Sequence, residues 1–388
     1  MNPIIIKIAR SGLAIIDRIE SILYRCNTSD HDITGEHPVH NILIWSMDRI
    51  GDVVRTTPAI RMLKNRYPDA SITAVIAGRA APVLMKNPWI RFLHNIKNPY
   101  NLKEHFETLL ILRKTKWDIL IFFEVDEFWA KLGQLLSRFL SVQRIVAFDF
   151  CSNYPKGSIT VSLNENGSWA DQFITLAEYA GGVYDNKGME IHISSQDHDK
   201  ALEILNNSGI SKGKPFFLVI PGGNFLTISR QWSPESYASL VSMIGQKWNF
   251  PVIVTGIKEE YDIAEKIKFL ARTPVINLAG VLTLGELMAV IDLCLICISN
   301  DTGPLHISHA LGKPTVAIVG PTAPEVIGIP ENSIVVRKEL PCSPCAYYSG
   351  WQSCSNPVHW ECINAIAAED VINAINTHLK GRYRGSPA

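Results

Sequence analysis

Short apolar runs, bounded by polar or glycine-containing segments, recur along the chain, and several are separated by apolar residues at helical spacing. Such runs predict buried β-strands, and the spacing between them predicts helices. A first series of strands is predicted at 41–45, 71–76, 117–123 and 144–148, and a second at 216–220, 252–255, 294–298 and 315–319. The predicted helices are 57–66, 234–245, 261–271, 284–291 and 304–311.

Strands that alternate with helices are typical of parallel sheets, because each parallel pair needs a crossover connection. We therefore predict an α/β fold with two Rossmann-like, doubly wound parallel-sheet domains that face each other across a cleft. Residues 41–195 form the first predicted domain, and 196–388 form the second, with a Cys-rich segment at 342–362. Residues 1–40 precede them as an amphipathic helix and a polar linker.

The N-terminal segment carries Lys7, Arg10, Asp17 and Arg18 among its apolar residues, which argues against a secretory signal. The predicted helix either packs on its own domain or lies on a membrane surface. No apolar stretch reaches the roughly 18 residues that span a bilayer. We therefore expect a cytoplasmic protein and leave a peripheral contact with the cytoplasmic face of the inner membrane open.

Charge is balanced, with 37 Lys and Arg residues against 37 Asp and Glu residues. No global field favours nucleic acid or anionic lipid, so we expect no nucleic-acid partner, although a local basic patch remains open. No G-x-G-x-x-G follows a predicted strand, and neither a Walker A nor a G-x-S-x-G motif occurs. Dehydrogenases, P-loop enzymes and α/β-hydrolases are therefore poorly supported.

The turn Asp301-Thr302-Gly303-Pro304 follows a predicted strand and opens a helix that ends before Gly312. Pro304 suits the first helical position, and Gly312 suits the left-handed position past the helix end. The backbone N–H groups and the helix dipole favour an anion such as phosphate at this turn. A capped helix without ligand is the alternative, and His306 either faces the anion or is structural.

The loop Ser46 to Asp52 follows the first predicted strand, at the sheet edge where ligands bind in open α/β proteins. Gly51 allows close backbone approach, and Asp52 suits a general base that deprotonates a hydroxyl acceptor. A simple helix cap is an equally good interpretation of Asp52 from its spacing alone.

Two further segments follow strands of the second domain. Pro221-Gly222 opens a loop that carries Arg230, which suits a diphosphate or is a solvated surface arginine. Gly256 ends the next strand, and Glu260 follows it four residues later, as a ribose ligand or an exposed first-turn residue.

Four of the eight cysteines cluster as Cys342-x-x-Cys345, Cys354 and Cys362. Thiolate zinc sites use such pairs, but the second half is not a C-x-x-C. An unligated reduced cluster and disulfides are the alternatives. We expect no cofactor and no metal, with zinc at these cysteines as the open alternative.

Taken together, these segments resemble glycosyltransferase family 9, the ADP-heptose:lipopolysaccharide heptosyltransferase family. The resemblance is carried by Gly51-Asp52 with Thr56-Thr57-Pro58-Ala59, and by Pro221-Gly222 leading to Arg230-Gln231-Trp232. Its most specific part is Asp301 to His306 with Ala310-Leu311-Gly312-Lys313-Pro314 and Gly320-Pro321-Thr322. The N-terminal extension, the cysteine cluster and an arginine in place of the usual lysine at Arg230 depart from the best-known members.

The resemblance implies a GT-B fold, with 41–195 as the acceptor domain and 196–388 as the nucleotide-sugar donor domain. It implies inverting, metal-independent transfer of a sugar, with ADP-heptose as donor and a lipopolysaccharide core or related glycan or glycolipid as acceptor. Asp52 matches the general base, Arg230 the donor phosphates, Glu260 the donor ribose, and Asp301, Thr302 and Gly303 the donor turn. A non-catalytic nucleotide-sugar-binding protein on the same scaffold is the alternative function.

Overall fold

The computed structural model describes residues 38–150, 154–155, 157–164, 166–222, 230–347 and 354–382. The predicted N-terminal helix and most of the predicted linker lie outside these residues. The chain divides into two compact units, one with residues up to 165 and 169–192, the other with 166–168 and residues from 193 onwards. Among the helices of the described residues, none combines the length and apolar character needed to cross a membrane.

The first unit is built on a six-stranded parallel sheet with the strand order β3-β2-β1-β4-β5-β6. Its strands are β1 Asn41–Ser46, β2 Ser71–Ala77, β3 Ile90–Ile96, β4 Lys116–Phe122, β5 Ser141–Phe148 and β6 Ile159–Val161. Its α-helices are Ile50–Arg55, Thr57–Arg66, Leu102–Leu112, Glu127–Ser137 and Trp169–Tyr179, with a 3-10 helix at Gly78–Val83.

The second unit contains another six-stranded parallel sheet, ordered β12-β11-β10-β7-β8-β9. Its strands are β7 Phe217–Ile220, β8 Val252–Val254, β9 Val275–Asn277, β10 Ile296–Asn300, β11 Thr315–Ile318 and β12 Ser333–Val336. The α-helices are Ser195–Asn207, Pro234–Trp248, Tyr261–Leu270, Leu284–Leu293, Gly303–Ala310, Pro324–Ile327, Glu361–Asn364 and Ala368–Arg382, with a 3-10 helix at Lys258–Glu260.

Both sheets have the same topology. Numbered from its own first strand, each runs 3-2-1-4-5-6, which is the doubly wound Rossmann order. The strand order reverses between β1 and β4 in the first unit and between β7 and β10 in the second. Ligands of such sheets bind at this switch point, outside the carboxyl ends of the strands. The α/β prediction with two Rossmann-like parallel sheets is therefore confirmed.

The burial of the central strands explains why their positions could be predicted from the sequence. Ile42, Leu43 and Ile44 of β1 are completely buried. The first three residues of β7 are also completely buried. Strands buried on both faces read as continuous apolar runs rather than as alternating patterns. The short edge strands β6, β9 and β12 are less buried, and the sequence pattern did not predict them.

The helix boundaries confirm some local predictions and correct others. Thr283 and Glu286 form a capping box at the start of the helix Leu284–Leu293, and Gly312 has the expected left-handed φ of +64° at the end of its helix. The predicted strand 294–298 begins two residues later, because Cys294 still ends the preceding helix Leu284–Leu293. The segment 181–213, for which the sequence predicted neither strand nor helix, contains the helix Ser195–Asn207, which buries only Ala201 and Leu205 and so has a weak apolar pattern.

Candidate active site

Asp52 lies in the first unit on the helix Ile50–Arg55, which follows β1 at the switch point of the sheet. The expected loop Ser46 to Asp52 is therefore shorter than predicted, because the helix already begins at Ile50 and places Asp52 in its first turn. Asp52 Oδ1 accepts a hydrogen bond from Arg55 Nη1 at 2.8 Å. The Asp52 side chain is 14% exposed and Gly51 is buried beside it.

Two carboxyl groups that sequence reasoning left without a role join the ends of β1 and β4. Asp48 Oδ2 accepts a hydrogen bond from the Val125 N–H at 2.8 Å, and Glu124 Oε1 accepts one from the Met47 N–H at 2.9 Å. The two connections thus bind each other reciprocally, through one carboxyl group from each side. This arrangement fixes the segment that leads into the Asp52 helix.

Asp48 and Glu124 are almost fully buried, at 8% and 1% exposure, and their side chains are hydrogen-bonded to each other. Burial raises the pKa of Asp48 well above its usual value, and the charge of Asp52 adds to the rise. Burial also raises the pKa of Glu124, with Asp48 as the next cause. Because two adjacent buried carboxylates resist ionising together, the pair retains a proton well above the ordinary carboxyl range.

In the second unit, the Pro221-Gly222 turn after β7 packs against the Thr302 turn after β10. Gly222 has a φ of +55°, and a Cβ built on it would lie 2.6 Å from Thr302 Cγ2. Only glycine accommodates both the left-handed backbone and this close approach. Thr302 is the N-cap of the helix Gly303–Ala310, and its side chain does not cap the helix N–H groups. The N-terminal end of this helix therefore has the features of an anion site.

Asp301 joins the residues around this helix end. Arg230 Nη1 lies 2.9 Å from Asp301 Oδ2, and Thr322 Oγ1 donates to the same oxygen at 2.7 Å. His306 Nε2 lies 3.9 Å from Asp301 Oδ1. Asp301 and His306 are buried, whereas the Arg230 side chain is 22% exposed. The ion pair holds the guanidinium beside the helix end, and a guanidinium in this position suits a phosphate group.

Thr322 is the residue of this cluster to which the sequence alone gave no role. Sequence reasoning also assigned no role to Asp48 and Glu124. The only sequence signal for Asp48 and Glu124 was a polar residue shortly after a buried strand, and their pairing depends on which strands are neighbours.

Glu260 has a local partner at the carboxyl end of β8, the strand next to β7. Its Oε2 accepts a hydrogen bond from the Ile257 N–H at 2.9 Å. A Cβ on Gly256 would lie 2.2 Å from the same oxygen, so this glycine makes room for the carboxylate. The ribose contact therefore stays a prediction, since the carboxylate is engaged with its own turn.

The four clustered cysteines, Cys342, Cys345, Cys354 and Cys362, line one pocket and are free thiols. Burial, together with the neighbouring thiols, raises the pKa of Cys362 to about 11. No group of three or more His, Cys, Asp or Glu residues within the described ranges is arranged to hold a metal ion. The structure brings the cysteines together, and zinc at this pocket stays an untested alternative.

Comparison with known proteins gives a consistent picture. Residues 166–352 match the family model of Glycosyltransferase family 9 (heptosyltransferase). Lipopolysaccharide heptosyltransferase 3 of Escherichia coli is 24% identical over 295 residues, which cover 70% of this chain and 81% of that protein. Lipooligosaccharide heptosyltransferase 2 of Haemophilus ducreyi is 24% identical over 322 residues, covering 76% of this chain and 88% of that protein.

Solved structures support the fold assignment. A family 9 glycosyl transferase from Veillonella parvula superposes with a TM-score of 0.77 at 22% identity, covering 92% of this chain and 100% of that one. The ADP-heptose lps heptosyltransferase II of E. coli gives a TM-score of 0.71 at 18% identity, covering 88% of this chain and 99% of that one. The expected GT-B fold and the family resemblance are thereby confirmed. Residues 166–352 therefore carry a match to the domain of glycosyltransferase family 9, and the chain is a glycosyltransferase.

Proposed function

We propose that this protein is an inverting, metal-independent glycosyltransferase that moves heptose from ADP-heptose to a lipopolysaccharide core or a related glycan. The observation that carries the proposal is the cluster of Arg230, Asp301 and Thr322 at the N-terminal end of the helix Gly303–Ala310. It stands at the switch point of the second unit, where a parallel sheet binds nucleotides. The relatives' names supply the sugar, since they are heptosyltransferases of lipopolysaccharide or lipooligosaccharide.

In this proposal the donor diphosphate binds at the helix N-terminus and against Arg230. As the bond between the sugar and the diphosphate breaks, negative charge grows on the leaving phosphate. The guanidinium and the helix dipole stabilise that charge, because both are held in place before the reaction. Asp301 serves as the anchor of Arg230, and Thr322 holds the Asp301 carboxylate in turn.

Asp52 acts as the general base that takes the proton from the acceptor hydroxyl. Its partial exposure leaves the carboxylate accessible, and the ion pair with Arg55 holds the side chain in place. The deprotonated oxygen attacks the sugar carbon from the face opposite the diphosphate, which inverts that carbon. The buried Asp48 and Glu124 pair supports the base indirectly, by fixing the chain before its helix.

Replacing Asp52 by asparagine tests the assignment most directly. We expect Asp52→Asn to lower kcat by about 100-fold or more, the usual contribution of a positioned base, with little change in donor affinity. Turnover would be followed by ADP release and donor binding by calorimetry. Asp69→Asn is the matched control, because Asp69 is an exposed carboxylate of the same unit.

Near wild-type turnover of a folded Asp52→Asn protein would show that Asp52 is not the base. If the wild-type protein binds ADP-heptose but transfers it to no acceptor, the alternative of a non-catalytic nucleotide-sugar-binding protein is favoured instead.

A further inference from the structure

The helix Leu102–Leu112 of the first unit carries an apolar stripe on its outward face. Leu102, Phe106 and Leu110 are 67%, 59% and 39% exposed, and their spacing of four residues places them on one line along the helix. The opposite face is already packed, since His105 is buried and its ring stacks on Trp45 of β1. An ordinary surface helix is polar where it faces solvent, so this stripe calls for a partner.

Other exposed apolar side chains lie near the stripe in the sequence. Of the 18 large hydrophobic side chains that are exposed in the described part of the chain, seven fall between residues 85 and 111. Besides the stripe they are Met85, Phe92, Tyr100 and Ile111. We call the outward-facing residues of β3, of the helix Leu102–Leu112 and of their connections the Leu102 surface.

The Leu102 surface is also basic, although the chain as a whole is neutral. Residues 85–116 contain seven Lys and Arg residues and two acidic residues. All seven basic residues are exposed. Both acidic side chains are engaged locally: Glu104 accepts hydrogen bonds from Asn98 and Asn101, and Glu107 lies 3.8 Å from Lys103. This segment is therefore the local basic patch that the overall composition left open.

An anionic lipid surface complements this combination. Apolar side chains enter the boundary between headgroups and acyl chains, while the surrounding lysines and arginines meet lipid phosphates. A second copy of this chain fits less well, because a two-fold interface would bring two surfaces of the same net positive charge together. Nucleic acid would leave the Leu102, Phe106 and Leu110 stripe without a partner.

The position of the surface is also informative. The connection from β3 to the helix Leu102–Leu112 lies at the carboxyl edge of the parallel sheet, and so does the helix that carries Asp52. We propose that the Leu102 surface docks this protein on an anionic lipid bilayer. Docking there would present a lipid-linked acceptor to the Asp52 edge, a consequence that rests on the proposed function, whereas lipid binding itself does not.

Vesicle co-sedimentation of the full chain tests this proposal without donor or acceptor. We expect binding to vesicles of phosphatidylcholine with phosphatidylglycerol, little binding to phosphatidylcholine alone, and weaker binding at high salt. The triple variant Leu102→Ser/Phe106→Ser/Leu110→Ser should bind at least about tenfold more weakly, because three apolar anchors are lost. Lys103→Glu/Lys114→Glu should lose the preference for phosphatidylglycerol.

Phe269→Ser is the matched control, because Phe269 is 86% exposed on a helix of the second unit. Circular dichroism would verify that each variant folds, which is expected since all the changed side chains are exposed. The proposal is overturned if the triple variant binds vesicles like the wild type, or if Phe269→Ser weakens binding equally. It is also overturned if the wild-type protein does not bind vesicles and the triple variant changes only the oligomeric state. A protein that binds vesicles but transfers no sugar would contradict the proposed function alone.

Discussion

At the scale of single residues, the candidate site of each unit pairs a carboxylate with an arginine, with different consequences. Asp52 meets Arg55 within its own helix and keeps part of its surface exposed. Asp301 meets Arg230 and Thr322 through one oxygen, lies near His306 through the other, and is buried. A general base needs access to the acceptor, whereas an anchor needs its oxygens to be occupied. The two environments thus favour Asp52 as base and Asp301 as the anchor of Arg230.

The Asp48 and Glu124 pair gives a pH-dependent prediction. Both pKa values are raised in the folded protein, so the folded state holds a proton that the unfolded chain has lost. This contribution to stability is fully present below the unfolded pKa values, near pH 4, and is lost as the pH rises through the raised ones. The glutamine of Glu124→Gln can donate to Asp48 and accept from the Met47 N–H without needing this proton.

We therefore expect Glu124→Gln to gain at least about 1 kcal/mol of unfolding free energy relative to wild type between about pH 5 and pH 8. Denaturant unfolding at a series of pH values measures the difference. Asp48→Asn should flatten the same pH dependence from the other side of the pair. Parallel pH profiles for all three proteins would show that the two carboxyl groups do not share a proton.

At the scale of elements, the sequence predicted the strands and helices that have a distinctive local pattern of apolar residues. Buried central strands such as β1 and β7 were identified within one residue at each end, because continuous apolar runs have few other interpretations. The helix Ser195–Asn207 escaped prediction since its mainly polar sequence buries only two side chains. The contact between Gly222 and Thr302 joins two non-consecutive strands, so no local pattern could reveal it.

Gly222 and Gly312 share a left-handed backbone conformation, so comparing them distinguishes the effect of backbone strain from that of a steric contact. Gly222 and Gly312 both have positive φ, at +55° and +64°, but only Gly222 has a close neighbour, while a Cβ on Gly312 would meet nothing within 4 Å. Alanine should cost each of them about 1 kcal/mol of backbone strain. Only Gly222→Ala should also displace Thr302, so we expect its donor affinity to fall about tenfold or more. Calorimetry with the donor measures this affinity. Equal donor affinity of the two variants would show that the Gly222 turn does not contribute to donor binding.

At the scale of the whole molecule, both sheets have the same strand order. In each of them, candidate site residues follow the strands at the switch point. In the first unit Asp52 and Asp48 follow β1 and Glu124 follows β4, while in the second Gly222 follows β7 and Asp301 follows β10. The sequence could indicate these positions because strand ends are visible in it. It could not indicate the pairing of Asp48 with Glu124 or the exposure of the Leu102 surface, because both depend on neighbours that are distant in sequence.

Donor identity is the prediction that belongs to the whole molecule. A ligand that binds only the folded state stabilises it by about 2.7 kcal/mol at 100 times its Kd, so thermal unfolding reports the preferred nucleotide sugar. We expect ADP-heptose to raise Tm, with UDP-, GDP- and dTDP-sugars giving smaller shifts or none. Arg230→Ala should abolish the ADP-heptose shift by removing the cation that Asp301 positions, whereas Arg272→Ala serves as an arginine control elsewhere in the second unit. Stabilisation by a UDP-sugar alone would show that the donor is not ADP-heptose, and it would leave the GT-B fold and the match to the family 9 model unchanged.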